Sequence, residues 1–549
     1  MASEKIENVL NLSLQATQKE REKSYDLDVG YDAEKNTWKL IIRHDDRLRN
    51  LYEQDTYWQR LKSMGLKIQF LSNNYAIITT RETLIQELAE QETIIYMEKP
   101  KSLYFQVTDA VNDACITPLQ TNQSFELRGK GVLIGIIDSG VDQNHPVFQR
   151  ADGSSKILRY IVQDQIKEGQ NNQEATDVSG HGTAVASIIA TIASESDLLI
   201  VRLGEDKRNA YPRTTELMEA LDSVVKIAQK LQRPLAINLS FGNNYGSHDG
   251  QSLLETYIDS LSNIWKISIA VGSGNEGLGN NHARIHLNDQ EEFLVEFEVG
   301  ENLSSINLQI WKLYQDNMEI ELISPSGKSS GKLRKEAMAM RYSLGETQLL
   351  VFYGTPVPYS MNQEIYLEFL PNGTYLEAGI WSVRFLPVQI TVGQIDLWLP
   401  VSGVIGKNSG FLIPSPETTL TIPSTSKNVI TVGAYDQTRN VYANFSGRGY
   451  TRLTNQIKPD LVAPGVGITT AKAGGGYQKQ SGTSFATPFV TASAALLMEW
   501  GIIRKNDPYL YGEKLKASLI YGCKPLIGET VPSPKTGWGT LCLNQSLIK

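Results

Sequence analysis

Apolar residues recur along this chain in rhythms that change from stretch to stretch, and the changes outline its architecture. Over 37–98, short alternating runs predict strands at 37–43, 67–71, 75–80 and 93–98. Longer stretches predict helices at 46–64 and 82–91, and Ser72, Asn73 and Asn74 suit a hairpin turn. The order β-α-β-β-α-β predicts a ferredoxin-like α+β unit with both helices on one face of an antiparallel sheet. From 117 to 280, strands at 132–138, 198–203, 235–239 and 267–271 alternate with helices at 181–193, 214–230 and 252–262. That alternation predicts an α/β fold, a parallel sheet covered by helices on both faces. Over 286–411 the rhythm becomes strand-like, with alternation at 293–299, 306–311 and 363–369 and turns at 324–327 and 371–374. Short strands broken by turn residues predict an inserted β-sandwich. The α/β pattern resumes at 428–433 and 458–465, and Gly482 to Pro488 opens an apolar stretch over 489–500. A helix is expected to begin there with Pro488 in its first turn, where a missing N–H costs little.

Three positions in this pattern carry chemistry. Asp138 ends a buried strand, His181 stands at the mouth of the apolar stretch 184–193, and Ser484 stands at a helix entrance. Singly, these read as an Asx turn and two caps. Jointly, they are parts for acyl transfer, in which a Ser attacks, an imidazole takes its proton and a carboxylate orients the imidazole.

The blocks D-S-G at 138–140, H-G-T at 181–183 and G-T-S-F-A-T-P at 482–488, in that order, resemble subtilisin-family serine proteases. The resemblance implies Asp138 as orienting carboxylate, His181 as general acid/base and Ser484 as nucleophile. Residues 267–277 are similar to the family segment carrying the oxyanion Asn, which implies that role for Asn275. Residues 236–242 are similar to its substrate-binding edge, so Ser240, Phe241 and Gly242, with Gly272, Ser273 and Gly274, are expected to flank an extended peptide. The ferredoxin-like unit resembles the family's prodomain, which templates folding and then occupies the cleft with its tail. Self-cleavage is expected within 104–115, with Gln106–Val107 favoured, and an uncleaved linker is the alternative. S-P-S-G-K at 324–328 and A-G-I-W-S-V-R-F at 378–385 are similar to jelly-roll accessory domains of subtilases.

The expected division is a prodomain with N-terminal extension over 1–106, catalytic parts over 107–285 and 412–549, and the insertion over 286–411. This combination resembles the Csp group of clostridial germination proteases. It implies autoprocessing, a prodomain that can stay bound, and activation of a zymogen cortex hydrolase in spores. Two alternatives stay open. One is a catalytically silent scaffold or ligand sensor controlling a partner protease. The other makes the insertion a carbohydrate-binding module with Trp311, Tyr314, Tyr353 and Trp398 as its platform.

The bulk properties narrow this further. The 549 residues predict two or three domains, and 41% hydrophobic content suffices for a core in each. A formal charge of -8 and no basic stripe argue against nucleic acid as partner. The expected partners are a protein or peptide substrate and the chain's own prodomain. Cys115, Cys523 and Cys542 are too scattered to suggest a disulfide framework or metal site, leaving Cys523–Cys542 as a conceivable bond. His145 is expected to shape a turn, and His44, His248, His282 and His286 to be surface or packing residues. Asp142 is a weak calcium-ligand candidate, and no cofactor or metal set is expected. The first residues lack a classical secretory signal and no segment suits a membrane span, so cytoplasmic synthesis is expected; spore association is what the Csp resemblance implies.

Overall fold

The computed structural model describes residues 5–15, 30–33, 35–70, 74–99, 111–122, 125–162, 177–203, 212–264, 266–336, 339–356 and 360–547. The chain divides into two compact units, Met1–Phe105 and Gln106–Lys549.

In the first unit the strand Thr37–His44 buries alternate residues, among them Trp38, Leu40 and Ile42, as period-two alternation requires. It pairs antiparallel with Tyr75–Arg81 and Ile94–Glu98, and Tyr75–Arg81 pairs with Lys67–Phe70. That is the ferredoxin-like strand order, with a short added strand, Tyr31–Asp32, beside Thr37 and Trp38. The helix expected over 46–64 is two helices, Leu48–Gln54 and Thr56–Ser63. Asp55 interrupts them in an extended conformation, its carboxylate accepting from the N–H groups of Tyr57 and Trp58. An Asp that can cap a new helix competes with continuing the old one.

The second unit is built on an eight-stranded sheet. Its order is Val441–Tyr442, Ile430–Asp436, Ile267–Gly272, Leu235–Leu239, Leu133–Asp138, Asp197–Arg202 and Ile157–Val162, with Leu461–Pro464 also paired to Ile430–Asp436. All pairings are parallel except that of the short edge strand Val441–Tyr442. The near-continuous apolar runs follow from burial of both faces. Ile134, Ile136, Leu198 and Ile200 pack under the helices His181–Ile192 and Thr483–Met498. Leu133, Ile137, Leu199 and Val201 pack on the other face under Thr214–Leu231 and Leu253–Ser262. Among the described residues, Thr483–Ile503 is the one helix long and apolar enough to cross a membrane, and it is buried through this core.

From His282 to Phe411 the chain forms two antiparallel sheets of six and five strands around one core, in which Phe297, Phe369, Trp381 and Phe385 meet. This β-rich insertion is fastened to the α/β core through a buried charge. Asp396 accepts from Arg284 Nε at 2.6 Å, His282 Nε2 at 3.0 Å and Gln394 Nε2 at 3.0 Å. Across the boundary, Arg452 Nε donates to the same carboxylate at 2.8 Å. Burial would raise the Asp396 carboxyl, but the His282 hydrogen bond and the charges of His282, Arg452 and Arg284 hold it far below the carboxylate range. The rings of His248 and His282 both stack on Trp398, with centroids 4.2 and 4.7 Å away. Trp398 and Tyr353 are buried, so two of the four aromatics of the expected platform are core residues, while Tyr314 is exposed.

The cysteine expectation is also corrected. Cys115 and Cys542 are disulfide-bonded, and Cys523 is free. The backbone sets up the approach, since Leu543 N–H donates to Ala114 O at 3.0 Å and Asn544 N–H to Cys115 O at 3.2 Å. Cross-linking residues 427 positions apart removes much freedom from the unfolded chain. Cys115→Ser should therefore lower stability by about 2–4 kcal/mol in urea titrations under oxidising conditions. The same titration in reductant should show no difference from the reduced wild type.

Candidate active site

Parallel register sets the site. Leu239 lies opposite Ile137 on one side and Val271 on the other, so Asp138, Ser240 and Gly272 follow in one row at the carboxyl edge of the sheet. Ligand sites of open α/β sheets lie at this edge.

Asp138 is 5% exposed, and its Oδ1 accepts from His181 Nδ1 at 2.7 Å and from its neighbour's Ser139 N–H at 2.7 Å. A carboxylate only accepts, so Nδ1 carries the proton and Nε2 keeps its lone pair. His181 begins its helix behind Gly180, at φ +74°, and ahead of Gly182. A Cβ on Gly182 would lie 2.1 Å from Gly140 O and 3.2 Å from Asp138 Oδ1, so only glycine lets the helix settle onto the carboxylate.

A second buried carboxylate holds the arrangement. Asp177 Oδ2 accepts from Thr183 N–H at 2.8 Å and Thr183 Oγ1 at 2.7 Å, and Oδ1 from Gly180 N–H at 2.9 Å. It thereby satisfies donors at a helix start that have no intrahelical partner. Ser139 Oγ lies 3.2 Å from Asp138 Oδ1 and 2.9 Å from Asp177 Oδ1, and accepts from Gly182 N–H at 2.9 Å. The negative charge of Asp138 raises the His181 imidazole, burial opposes this, and Asp138's hydrogen bond and Asp177's charge raise it further. Sequence reasoning does not single out Asp177. The readable signal is an Asp placed to cap Gly180 and Thr183.

Ser484 sits in the first turn of Thr483–Met498, where its N–H has no carbonyl to meet within the helix. Pro488 falls inside this helix, not in the first turn as expected. Lacking an N–H, it cannot bond the carbonyl of Ser484 four residues back. Ser240 Oγ donates to that carbonyl instead, at 3.2 Å. In exchange, Ser484 Oγ donates to Ser240 O at 3.0 Å, so its single proton is not directed at His181 in this conformation. Asn238 Nδ2 donates to Ser240 Oγ at 2.8 Å and Thr491 Oγ1 to Asn238 Oδ1 at 2.9 Å, fixing Ser240 from within the core. Asn275 Oδ1 accepts from Thr483 N–H at 3.0 Å and Thr483 Oγ1 at 3.2 Å. This leaves the Asn275 side-chain N–H groups as its outward donors.

Ser240, Phe241, Gly242, Gly272, Gly274, Asn275 and Ser484 line a common pocket of about 210 Å³. An apolar pocket of about 450 Å³ adjoins it, sharing Phe241 and Gly242 and adding Leu217, Leu254 and Ile422. Ser273 is not brought to this cleft. Its side chain is buried, with Oγ 3.3 Å from Ser446 Oγ. Gln106 and Val107 lie outside the described residues. His145 caps a short helical turn, its Nδ1 accepting from Val147 N–H at 3.3 Å. Asp142 accepts backbone N–H bonds from Asn144 and Gly474.

In a Ser484→Ala background, NMR titration should place the His181 imidazole above its ordinary 6.5. Asp138→Asn should lower it most and Asp177→Asn by less, since each removes a negative charge that favours the imidazolium.

Residues 129–297 and 408–539 match the subtilase family, and residues 4–101 match the Csp protease B prodomain. The solved CspB protease of Clostridium perfringens is 32% identical, with a TM-score of 0.74 over 80% of this chain and 96% of that one. The minor extracellular protease Vpr of Bacillus subtilis is 23% identical over 75% of this chain, and the PII-type proteinase of Lacticaseibacillus paracasei 22% over 85%. The chain spans 51% and 27% of the lengths of those two relatives. With the family's two matched stretches covering both parts of the α/β core, a Csp-type prodomain ahead of them and the strand-edge geometry described above, this chain belongs to the subtilase family of serine proteases.

Proposed function

We infer that this chain is a serine endopeptidase, made as a zymogen and processed by itself after the N-terminal prodomain. The observation that carries the reading is the 2.7 Å Asp138–His181 hydrogen bond, which leaves Nε2 free to accept a proton, with the His181 ring 5.7 Å from that of Phe485, next in sequence to Ser484. In the reaction, Ser484 Oγ turns from the Ser240 carbonyl to His181 Nε2. It gives up its proton there as it bonds to the substrate carbonyl carbon. The charge that develops on the carbonyl oxygen is met by the Ser484 N–H and the Asn275 side-chain N–H. The imidazolium, steadied by Asp138, then protonates the leaving amine as the C–N bond breaks. Water deacylates the enzyme by the reverse proton path. A raised His181 imidazole means that activity falls on acidification at a higher pH than an ordinary histidine would give.

The division we propose is prodomain over 1–106, catalytic parts over 107–285 and 412–549, and accessory sandwich over 286–411. Cleavage falls within 104–115, with Gln106–Val107 favoured, and the prodomain can stay bound afterwards, a reading supported by the Csp-type prodomain. The physiological target is a zymogen cortex hydrolase in spores, a reading supported by the Csp-type prodomain and the likeness to CspB. Absence of the protein from purified spores of its source, or failure to cut such a zymogen, refutes that part. One observation favours a second reading, a silent scaffold controlling a partner protease: the Ser484 hydroxyl is committed to the Ser240 carbonyl.

Intact mass and N-terminal sequencing of wild type and Ser484→Ala separate the two. The wild type should divide within 104–115 while the variant stays one chain of 61.0 kDa. Two intact chains support the scaffold, and identical cleavage of both assigns the cut to another protease. Asn275→Ala should lower kcat by about 10²–10³ with KM little changed, a magnitude established on subtilisin itself.

A further inference from the structure

The six-stranded sheet of the insertion turns one face to the sandwich core and the other outward. On the outward face, the strands His282–His286 and Gln394–Trp398 carry His282, Arg284, Asp396 and Trp398, which are committed to the junction with the α/β core. The strand Ile306–Leu313 is the border. Gly246 N–H donates to its Gln309 Oε1 at 3.1 Å, and its Asn307 Nδ2 donates to the Tyr245 hydroxyl at 3.4 Å. Beyond that border Asn362–Pro371, Thr347–Tyr353 and Ala339–Leu344 continue the sheet.

Ile365, Leu367, Phe369, Leu349 and Val351 on these strands belong to the sandwich core, so their neighbours in sequence point outward. Register then sets the outward residues side by side. Glu368 lies between Asn307 and Leu350, with Arg341 beyond, and Tyr366 lies between Gln309 and Phe352. Phe352 is 47% exposed, which leaves an aromatic patch open to a partner. Tyr366 OH donates to Glu368 Oε2 at 2.6 Å. Glu364, two residues before Tyr366 on the same face, meets no donor among the described residues, and burial pushes its carboxyl up. Aromatic rings set among carboxylates suit an apolar segment that carries cations.

This face joins the cleft at Tyr245. On one side Tyr245 bonds to Asn307, and on the other it lines the apolar pocket that shares Phe241 and Gly242 with the pocket beside Ser484. His181 must face the leaving amine, and it lines neither pocket, so both belong to the acyl side of the cleaved bond. A peptide running from Ser484 through both pockets therefore reaches Tyr245 with its amino-terminal part. From the border strand to Phe352 is two strand spacings of about 4.8 Å, or about three extended residues.

We propose that this outward face is an exosite, through which the insertion holds the stretch of substrate about five to eight residues before the cleaved bond. Tyr245, Tyr366 and Phe352 receive apolar side chains of that stretch, and Glu364 and Glu368 receive its lysines or arginines. Arg341, on the outermost strand, marks the end of the acidic part of the face. A substrate seated in the cleft meets the face at high local concentration, so weak contacts there are enough to discriminate. The inference rests on the endopeptidase reading above.

The test uses the full, processed protein and a synthetic peptide library of randomised sequence, with cut sites read by mass spectrometry. In the wild type, lysine and arginine should be enriched about twofold at positions five to eight before the cut, and aspartate and glutamate depleted. Glu364→Gln combined with Glu368→Gln should erase that preference. Phe352→Ser should weaken the preference for apolar residues at the same positions, and both variants should keep the wild-type preference at the first four. Equal use of lysine and glutamate at five to eight by the wild type, or survival of the charge preference in the double variant, overturns the exosite and leaves the endopeptidase reading intact. Binding of the full protein to insoluble peptidoglycan that Phe352→Ser abolishes, without any such preference, also overturns it and assigns the face to a glycan. No cutting of any peptide, with no labelling of Ser484 by a fluorophosphonate, overturns the endopeptidase reading and the exosite with it.

Discussion

Everything at the cleft depends on parallel strand pairing in a single register. Parallel neighbours point the same way, so their carboxyl ends open on one edge, and the Ile137–Leu239–Val271 row decides which residues emerge together there. A slip of one residue in any of these strands would turn its apolar side chains to the wrong face of the sheet. Asp138 and Ser240 are therefore held in place by Ile134, Ile136, Leu235 and Ile237, residues with no chemistry of their own. The helices beginning at His181 and Thr483 complete the edge because a helix start offers N–H groups where the strands end.

The insertion meets this edge through polar contacts rather than an extension of either core. Asp396 collects cationic donors from both sides of the boundary, and Arg452 reaches on to Asn362 Oδ1 at 2.8 Å. Desolvating such charges costs several kcal/mol each, against which stand the four bonds to Asp396, while Arg452 Nη2 and His282 Nδ1 have no hydrogen-bond partner among the described residues. Such a contact forms in one orientation or not at all. His248 carries that orientation toward the cleft, with Nδ1 2.8 Å from Leu420 O and Nε2 3.2 Å from Asn244 O. Leu420 precedes Thr421, which lines the pocket beside Ser484, and Asn244 Nδ2 donates to Leu399 O at 3.2 Å.

The legible features in the sequence are those written locally. Alternation in 37–43 and 293–299 matches strands whose partners need not be known, and the ferredoxin-like order follows from such runs alone. The blocks around Asp138, His181 and Ser484 are legible because each packs its glycine and its reactive side chain within a few residues. Features that depend on distant partners are not. Nothing near Cys115 names Cys542, and nothing near Arg452 names Asp396. Ser402 and Glu276 are 126 positions apart, so the hydrogen bond between them is invisible until the insertion has folded. The sequence alone places Pro488 in the first turn, because the bond from Ser240 to the Ser484 carbonyl, which makes an internal proline tolerable, comes from another strand. Ser273 shows the converse limit. Its side chain turns to Ser446 while its neighbours Gly272 and Gly274 line the cleft, a difference set by a partner 173 positions away.

The bond between Cys115 and Cys542 has a consequence of its own kind. It makes all the chain between those residues a closed covalent ring. A single cut anywhere in that ring, in a surface turn of the sandwich or beside the cleft, produces two ends but no separate pieces. The nicked molecule gains only the mass of one water, and its fragments stay at a local concentration far above any they would have free in solution. The ring turns a cut that would otherwise release a fragment into one that leaves the fragments joined.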